Sequence, residues 1–98
     1  MHGAASKPLE WTRRAFEAYH TTPARIAEDD PPTARLVRER VERALSLIQL
    51  QPRIGTPALR RGERRYPVPN TGHVINYRVL RHVIRVVLWY RARQHVRG

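Results

Sequence analysis

The sequence predicts a single α+β domain of order β-α-α-β-β-β, with two N-terminal helices packed on one face of a small, mostly antiparallel sheet. Three observations lead there. Apolar residues recur at helical spacing through the first half of the chain and give way to β-branched and aromatic runs in the second. Proline and glycine gather between these runs, at 31–32, 52–57 and 67–72. The 98 residues, 41% of them hydrophobic, suffice for one modest core and not for two. No segment repeats another. The domain is expected over residues 8–94, behind a flexible tail at 1–7.

Each element has a local cause. Pro8 to Trp11 reads as a short extended piece, with Leu9 and Trp11 on the same side. Thr12 is placed to cap a helix whose stripe runs through Ala15, Phe16, Tyr19, Ile26 and Ala27. Pro23 falls inside that stripe, where it removes a backbone donor and clashes with the preceding turn, so a kink or break is expected near Thr21–Pro23. Glu28-Asp29-Asp30 followed by Pro31-Pro32 is a stop and a restart: Asp30 can cap, and Pro31 fits a first helical position that needs no donor. Ala34, Val37, Val41, Ala44, Leu45 and Ile48 form the second stripe, flanked by the pairs Arg38/Glu42 and Glu39/Arg43. Leu36, Leu47 and Leu50 lie off it, and either widen the core face or touch another chain.

Pro52 and Gly55-Thr56-Pro57 end the second helix and open an arginine-rich connector through Arg65. Tyr66–Pro69 is a short strand limited by prolines, at an edge or at the start of something longer. Asn70-Thr71-Gly72 is a turn. His73–Leu80 and Val83–Tyr90 form a hairpin around Arg81-His82. Counting outward from that turn pairs Val79 with Ile84, Tyr77 with Val86, Ile75 with Leu88 and His73 with Tyr90, an apolar set that should carry the helices. The opposite face then pairs Leu80 with Val83, Arg78 with Arg85, Asn76 with Val87 and Val74 with Trp89. Two opposed arginines beside Trp89 point to a contact surface.

Charge sharpens that expectation. The chain carries 19 Lys+Arg against 8 Asp+Glu, a formal net charge of +11. Residues 1–51 hold eight basic and seven acidic side chains; residues 52–98 hold eleven arginines and the single Glu63, a net of +10. Such a density repels itself and favours an anionic partner, nucleic acid or an acidic protein segment. Arginine's planar fork suits bidentate contact with carboxylate or phosphate. With no cysteine there is no disulfide framework, thiolate ligand or thiol nucleophile. No apolar run approaches the roughly 18 residues of a membrane span, and Met1 to Pro8 lacks a secretory signal's apolar stretch. A cytoplasmic protein is expected. The histidines are scattered without metal-ligand spacing, and no glycine-rich phosphate loop or Ser/His/Asp ordering occurs, so neither metal nor cofactor is expected.

Five strings in order resemble the RelE/ParE family of toxins from bacterial type II toxin–antitoxin pairs, over about residues 9 to 94. Trp11-Thr12-Arg13-Arg14-Ala15 is similar to the family's opening W-T-R-R-A. Ile26 to Pro31 is similar to its interhelical I-A-E-D-D-P, and Pro52-Arg53-Ile54-Gly55-Thr56-Pro57 to its P-x-x-G-x-P. Val68 to Val79 follows V-P-G-T-x-x-V-I-x-Y-R-V at most positions, and Ile84 to Arg93 is similar to I-x-R-V-L-x-H-x-x-R. The resemblance implies a compact toxin neutralised by a cognate antitoxin that lays acidic and apolar residues along it, in a complex that can be a heterotetramer. The expected contact residues are Arg64, Arg65, Arg78, Arg85, Trp89 and Arg91.

The resemblance also implies one of two activities. RelE-like members cut messenger RNA on the ribosome, whereas ParE-like members poison DNA gyrase without cutting nucleic acid. Cleavage through the 2′-hydroxyl needs a base, cationic stabilisation of the phosphate and a proton for the leaving oxygen. In the nuclease branch an arginine stands before the third strand, and Pro69 occupies that place here. Tyr90 stands at the terminal His/Tyr position and Arg93 matches a basic residue, so a nuclease would rest on Tyr90, Arg65 and Arg93. A tyrosine of pKa near 10 is a poor base unless cations lower it. The departures favour the ParE-like branch, with the ribonuclease as the alternative and a non-toxic basic nucleic-acid-binding module as a third possibility.

Overall fold

The computed structural model describes residues 6–92. It contains β1 (Leu9–Trp11), α1 (Arg13–Asp29), α2 (Pro31–Leu50), β2 (Thr56–Pro57), β3 (Glu63–Val68), β4 (His73–Val79) and β5 (Ile84–Arg91). The sheet order is β1-β5-β4-β3-β2, with β1 parallel to β5 and every other pair antiparallel. The expected α+β order holds, with the two-residue strand β2 added at one edge. Both helices cover one face: Ala15, Val37, Val41, Ala44 and Ile48 meet Val68, Ile75, Tyr77, Ile84, Val86 and Trp89 in one buried cluster.

Thr12 caps α1, its hydroxyl accepting from the Ala15 N–H at 3.1 Å. The expected break near Pro23 does not occur: α1 runs from Arg13 to Asp29 with Pro23 inside it. An interior proline costs a helix about 3 kcal/mol, and here the flanking structure offsets it. Pro23 is buried against the protein. The Thr21 and Thr22 hydroxyls donate to the carbonyls of Glu17 and Ala18 at 2.9 and 3.4 Å, tying down the turn the proline disturbs. Tertiary packing outweighs the local preference.

Asp30 caps α2, and Pro31 takes the first position. Its carboxylate accepts from the Thr33 hydroxyl at 2.6 Å and from the Thr33 N–H at 3.2 Å. These two bonds, the hydroxyl first, hold the Asp30 carboxyl below its ordinary value. A lowered folded-state pKa stabilises the fold above the unfolded-state value, and that contribution disappears as pH falls through the folded value. Thermal melts are therefore expected to show an acid-side loss of stability below about pH 4, part of which Asp30→Asn removes, since the amide caps without titrating. An identical acid limb in that variant would show that the cap carries no pH dependence. Of the off-stripe leucines, Leu36 and Leu50 are exposed and Leu47 is half-buried.

β3 begins at Glu63, inside the expected connector. Glu63, Arg64 and Arg65 pair with Arg78, Tyr77 and Asn76 of β4. In the hairpin the expected register holds from the turn outward through Val79–Ile84, Arg78–Arg85 and Tyr77–Val86. It then shifts. Asn76 lies opposite Leu88, Ile75 opposite Trp89, Val74 opposite Tyr90 and His73 opposite Arg91, leaving Val87 as the extra residue of a β-bulge. Counting outward assumes unbroken alternation; one inserted residue exchanges the faces of everything beyond it. The exchange buries the Trp89 indole, the largest side chain in β5, and turns Leu88 and Tyr90 to the other side.

Candidate functional site

The sheet face away from the helices is built from alternate residues of the three long strands: Glu63, Arg65 and Pro67 on β3, Val74, Asn76 and Arg78 on β4, and Arg85, Leu88 and Tyr90 on β5. Arg78 and Arg85 stand opposite each other, as the register requires. Each has its own carboxylate on the outward side, Arg78 with Glu63 at 3.7 Å and Arg85 with Glu10 at 3.1 Å. Flanking acids on β3 and β1 thus draw the two guanidinium groups apart and relieve a cross-strand repulsion worth roughly 0.2–1 kcal/mol. Arg65 makes no ion pair among the described residues.

A one-way hydrogen-bond chain crosses this face. The Tyr90 hydroxyl donates to Asn76 Oδ1 at 3.0 Å, and Asn76 Nδ2 donates to Glu63 Oε1 at 3.1 Å. Asn76 and Glu63 are both buried. Because the amide nitrogen can only donate, the glutamate holds Asn76 in one orientation, and its oxygen then holds the Tyr90 proton. Leu88, Asn76 and Tyr90 line two adjoining hollows. One, of about 360 Å³, is completed by Arg60, Glu63 and Arg65 among others; the second, of about 430 Å³, reaches Arg14 and Ala18 of α1. The second exists because β1 pairs only with Ile84–Val86, so among the described residues the outer edge of β5 beyond them has no strand beside it.

The structure divides the expected contact residues between two faces. Arg65, Arg78 and Arg85 share the helix-free face. Arg64 points to the other side, where its Nη1 donates to the Gly55 carbonyl at 2.6 Å. Arg91, opposite His73, lies on the helix side and is exposed. Trp89 is corrected outright: it is not an exposed partner of the arginines but is 5% exposed. Its ring stacks on His73 at 4.6 Å and meets Tyr19 edge-on at 5.1 Å, while Nε1 donates to the Thr22 hydroxyl at 2.9 Å. Of the residues proposed for catalysis, Tyr90 and Arg65 line one hollow, and Arg93 lies outside the described residues.

Sequence reasoning missed Asn76 and Glu63 as parts of this site. Glu63 did carry a signal, as the one acid among the eleven arginines of residues 52–98; an isolated carboxylate in such surroundings is more valuable buried and paired than exposed. Asn76 stands as a polar residue within the apolar run Val74-Ile75-Asn76-Tyr77. Among the described residues no three His, Cys, Asp or Glu side chains gather to hold a metal, and no helix is long and apolar enough to cross a membrane.

The family model for the ParE toxin of the type II toxin–antitoxin system parDE matches residues 9–95. Among solved structures, the chain is similar to the chromosomal ParDE system from P. aeruginosa, with 18% identity and a TM-score of 0.77, over 90% of this chain and 98% of the other. It is similar at 18% identity to a chain of the intact E. coli RelBE toxin–antitoxin complex, with a TM-score of 0.67 over 91% and 100% of the two chains. The isolated E. coli RelE toxin, also 18% identical, superposes with a TM-score of 0.68 over 92% and 88%. Comparison with curated proteins gives no match. At these identities the structural likenesses speak for the fold, and the family match for the lineage.

Proposed function

The chain belongs to the ParE toxin family of type II toxin–antitoxin systems, and from that premise we propose that it acts on DNA gyrase by protein contact, without chemistry of its own on nucleic acid. It is the toxin of such a pair, and a cognate antitoxin is its neutralising partner. The observation that carries the proposal is the direction of the Tyr90–Asn76–Glu63 chain. A tyrosine acting as base must give up its proton, and this one donates it to an amide oxygen whose orientation a buried carboxylate maintains. Pro69 supplies no cation where the nuclease branch has its arginine. Arg65, which makes no ion pair among the described residues, serves here as the contact for an acidic group of a protein partner, beside Arg78 and Arg85 with their own carboxylates.

A second reading, a ribosome-dependent endoribonuclease using Tyr90, Arg65 and Arg93, is favoured by Tyr90 and Arg65 lining the same hollow. One pair of assays separates the two. Purified toxin added to gyrase and relaxed plasmid is expected to stop supercoiling, with recovery on adding antitoxin, while messenger on programmed ribosomes stays whole. Intact supercoiling together with cut messenger would replace the first reading by the second. Intact supercoiling, whole messenger and harmless expression would leave only a basic nucleic-acid-binding module, whose binding should weaken steeply with salt.

A further inference from the structure

Away from the helix-free face, a cleft of about 780 Å³ opens between the segment that follows α2 and the neighbouring ends of β3 and β4. Its polar wall consists of Lys7, Arg53, Arg64 and Gln51; Ile54 and Val79 contribute apolar surface. Among the described residues no carboxylate lines it. The acid nearest in sequence, Glu63, faces the other side of β3 and is paired there with Asn76 and Arg78. None of the three cations makes an ion pair among the described residues.

Two of these cations are held in place by carbonyl oxygens, which fix position without neutralising charge. The Lys7 ammonium donates to the Leu80 carbonyl at 2.7 Å, and the Lys7 carbonyl itself accepts from Gln49 Nε2 at 2.9 Å. Arg64 Nη1 donates to the Gly55 carbonyl at 2.6 Å, leaving Nη2 and Nε available. Arg53 is exposed at the rim. Three like charges around one concavity repel one another until an anion enters, and an anion that meets positioned donors loses little in ordering them.

We propose that this cleft is a binding site for a polyphosphate anion, of the kind a nucleoside triphosphate carries. The volume lies within the roughly 300–1,000 Å³ typical of small-molecule sites. Consecutive phosphates concentrate several charges in one compact group, which suits three cations bordering a single cleft. Same-side carboxylates of an extended acidic peptide stand about 7 Å apart, so such a peptide spreads along a strand the charge that a polyphosphate gathers in one group. Ile54 and Val79 offer a surface for an apolar ring, and the Gln51 amide a donor and an acceptor for its edge.

Calorimetric titration of the full chain near 0.15 M salt with magnesium-free ATP, inorganic triphosphate and adenosine tests this. One saturable site is expected for ATP and for triphosphate, and none for adenosine. ATP binding more tightly than triphosphate identifies a nucleotide site, and equal affinities an inorganic one. Joint replacement Lys7→Gln with Arg53→Gln is expected to weaken binding about tenfold or more. Joint replacement Arg13→Gln with Arg25→Gln, which likewise removes two charges, but from α1 outside the cleft, is expected to weaken it less than about twofold at this ionic strength. Melting curves confirm that the variants are folded. Equal weakening by the α1 variant, absence of saturation, or tighter binding of a glutamate-rich peptide of matched charge overturns the proposal. No arm involves gyrase or ribosomes, so this site and the toxin's target stand or fall separately.

Discussion

Gly55→Ala is expected to destabilise the protein by about 3 kcal/mol, at the upper end of overpacking costs. A Cβ at Gly55 would stand 2.8 Å from the Arg65 carbonyl oxygen and 2.8 Å from the Tyr77 hydroxyl. Neither neighbour can yield. The Arg65 backbone is engaged in the sheet between β2 and β4, and the buried Tyr77 hydroxyl accepts from the Gly55 N–H at 2.9 Å while donating to the Pro52 carbonyl at 2.7 Å. Burial pushes the Tyr77 pKa up, which keeps that hydroxyl a donor. The link joins the segment after α2 to the centre of the sheet. Tyr77→Phe removes it from the other side and leaves both backbone groups without this partner, at about 1–3 kcal/mol for each that finds no other. Gly72→Ala is the contrasting change: Gly72 has φ +73 but nothing within 4 Å of an added Cβ, so only backbone strain of about 1–2 kcal/mol applies. Denaturant midpoints measure all three. An effect at Gly55 no larger than at Gly72 would mean that the close approach is not maintained in solution.

Trp89→Ala is expected to cost about 3–5 kcal/mol, a large share of the roughly 5–15 kcal/mol that holds a typical domain folded. The indole contributes packing against Tyr19 and His73, closure of the α1–β5 contact and the bond to Thr22. In a domain of this size each kcal/mol lowers Tm by about 4–8 °C, so a fall of at least ~12 °C is expected. The unbulged register would place the same residue on the open face, where truncation changes stability by no more than about 0.5 kcal/mol. A small Tm change would contradict the bulge directly. Trp89→Phe, retaining most of the ring volume, is expected to recover part of the loss and none of the Thr22 bond.

What the sequence displayed and what it concealed follow one physical division. Features set by neighbours along the chain were legible. The Thr12 and Asp30 caps, Pro31 at a first helical position, the Ala34-to-Ile48 stripe and the Arg78–Arg85 pairing all appear where local chemistry placed them. Features set by distant packing were not. Pro23 stays within α1 because its side chain is buried against the rest of the fold, and no window around residue 23 contains that fact. The bulge at Val87 depends on where the Trp89 ring finds its best cavity, which is formed by Tyr19, Thr22 and His73 from elsewhere in the chain. That single residue then decided the site: it removed Trp89 from the arginine-bearing face and brought Tyr90 to Asn76. The family strings survived this error, since W-T-R-R-A, P-x-x-G-x-P and the strand motifs mark positions along the chain whichever face each side chain takes.

The most direct measurement is gyrase supercoiling with Tyr90→Phe beside the parent toxin, run in parallel with messenger integrity on programmed ribosomes. The substitution deletes only the hydroxyl. A toxin working by protein contact is expected to lose no more than about tenfold in potency, since one half-buried hydrogen bond is worth about 0.5–1.5 kcal/mol. Loss of toxicity by the roughly 10²–10⁴-fold that general acid–base catalysis supplies, accompanied by messenger that the parent cuts and the variant leaves whole, would contradict it.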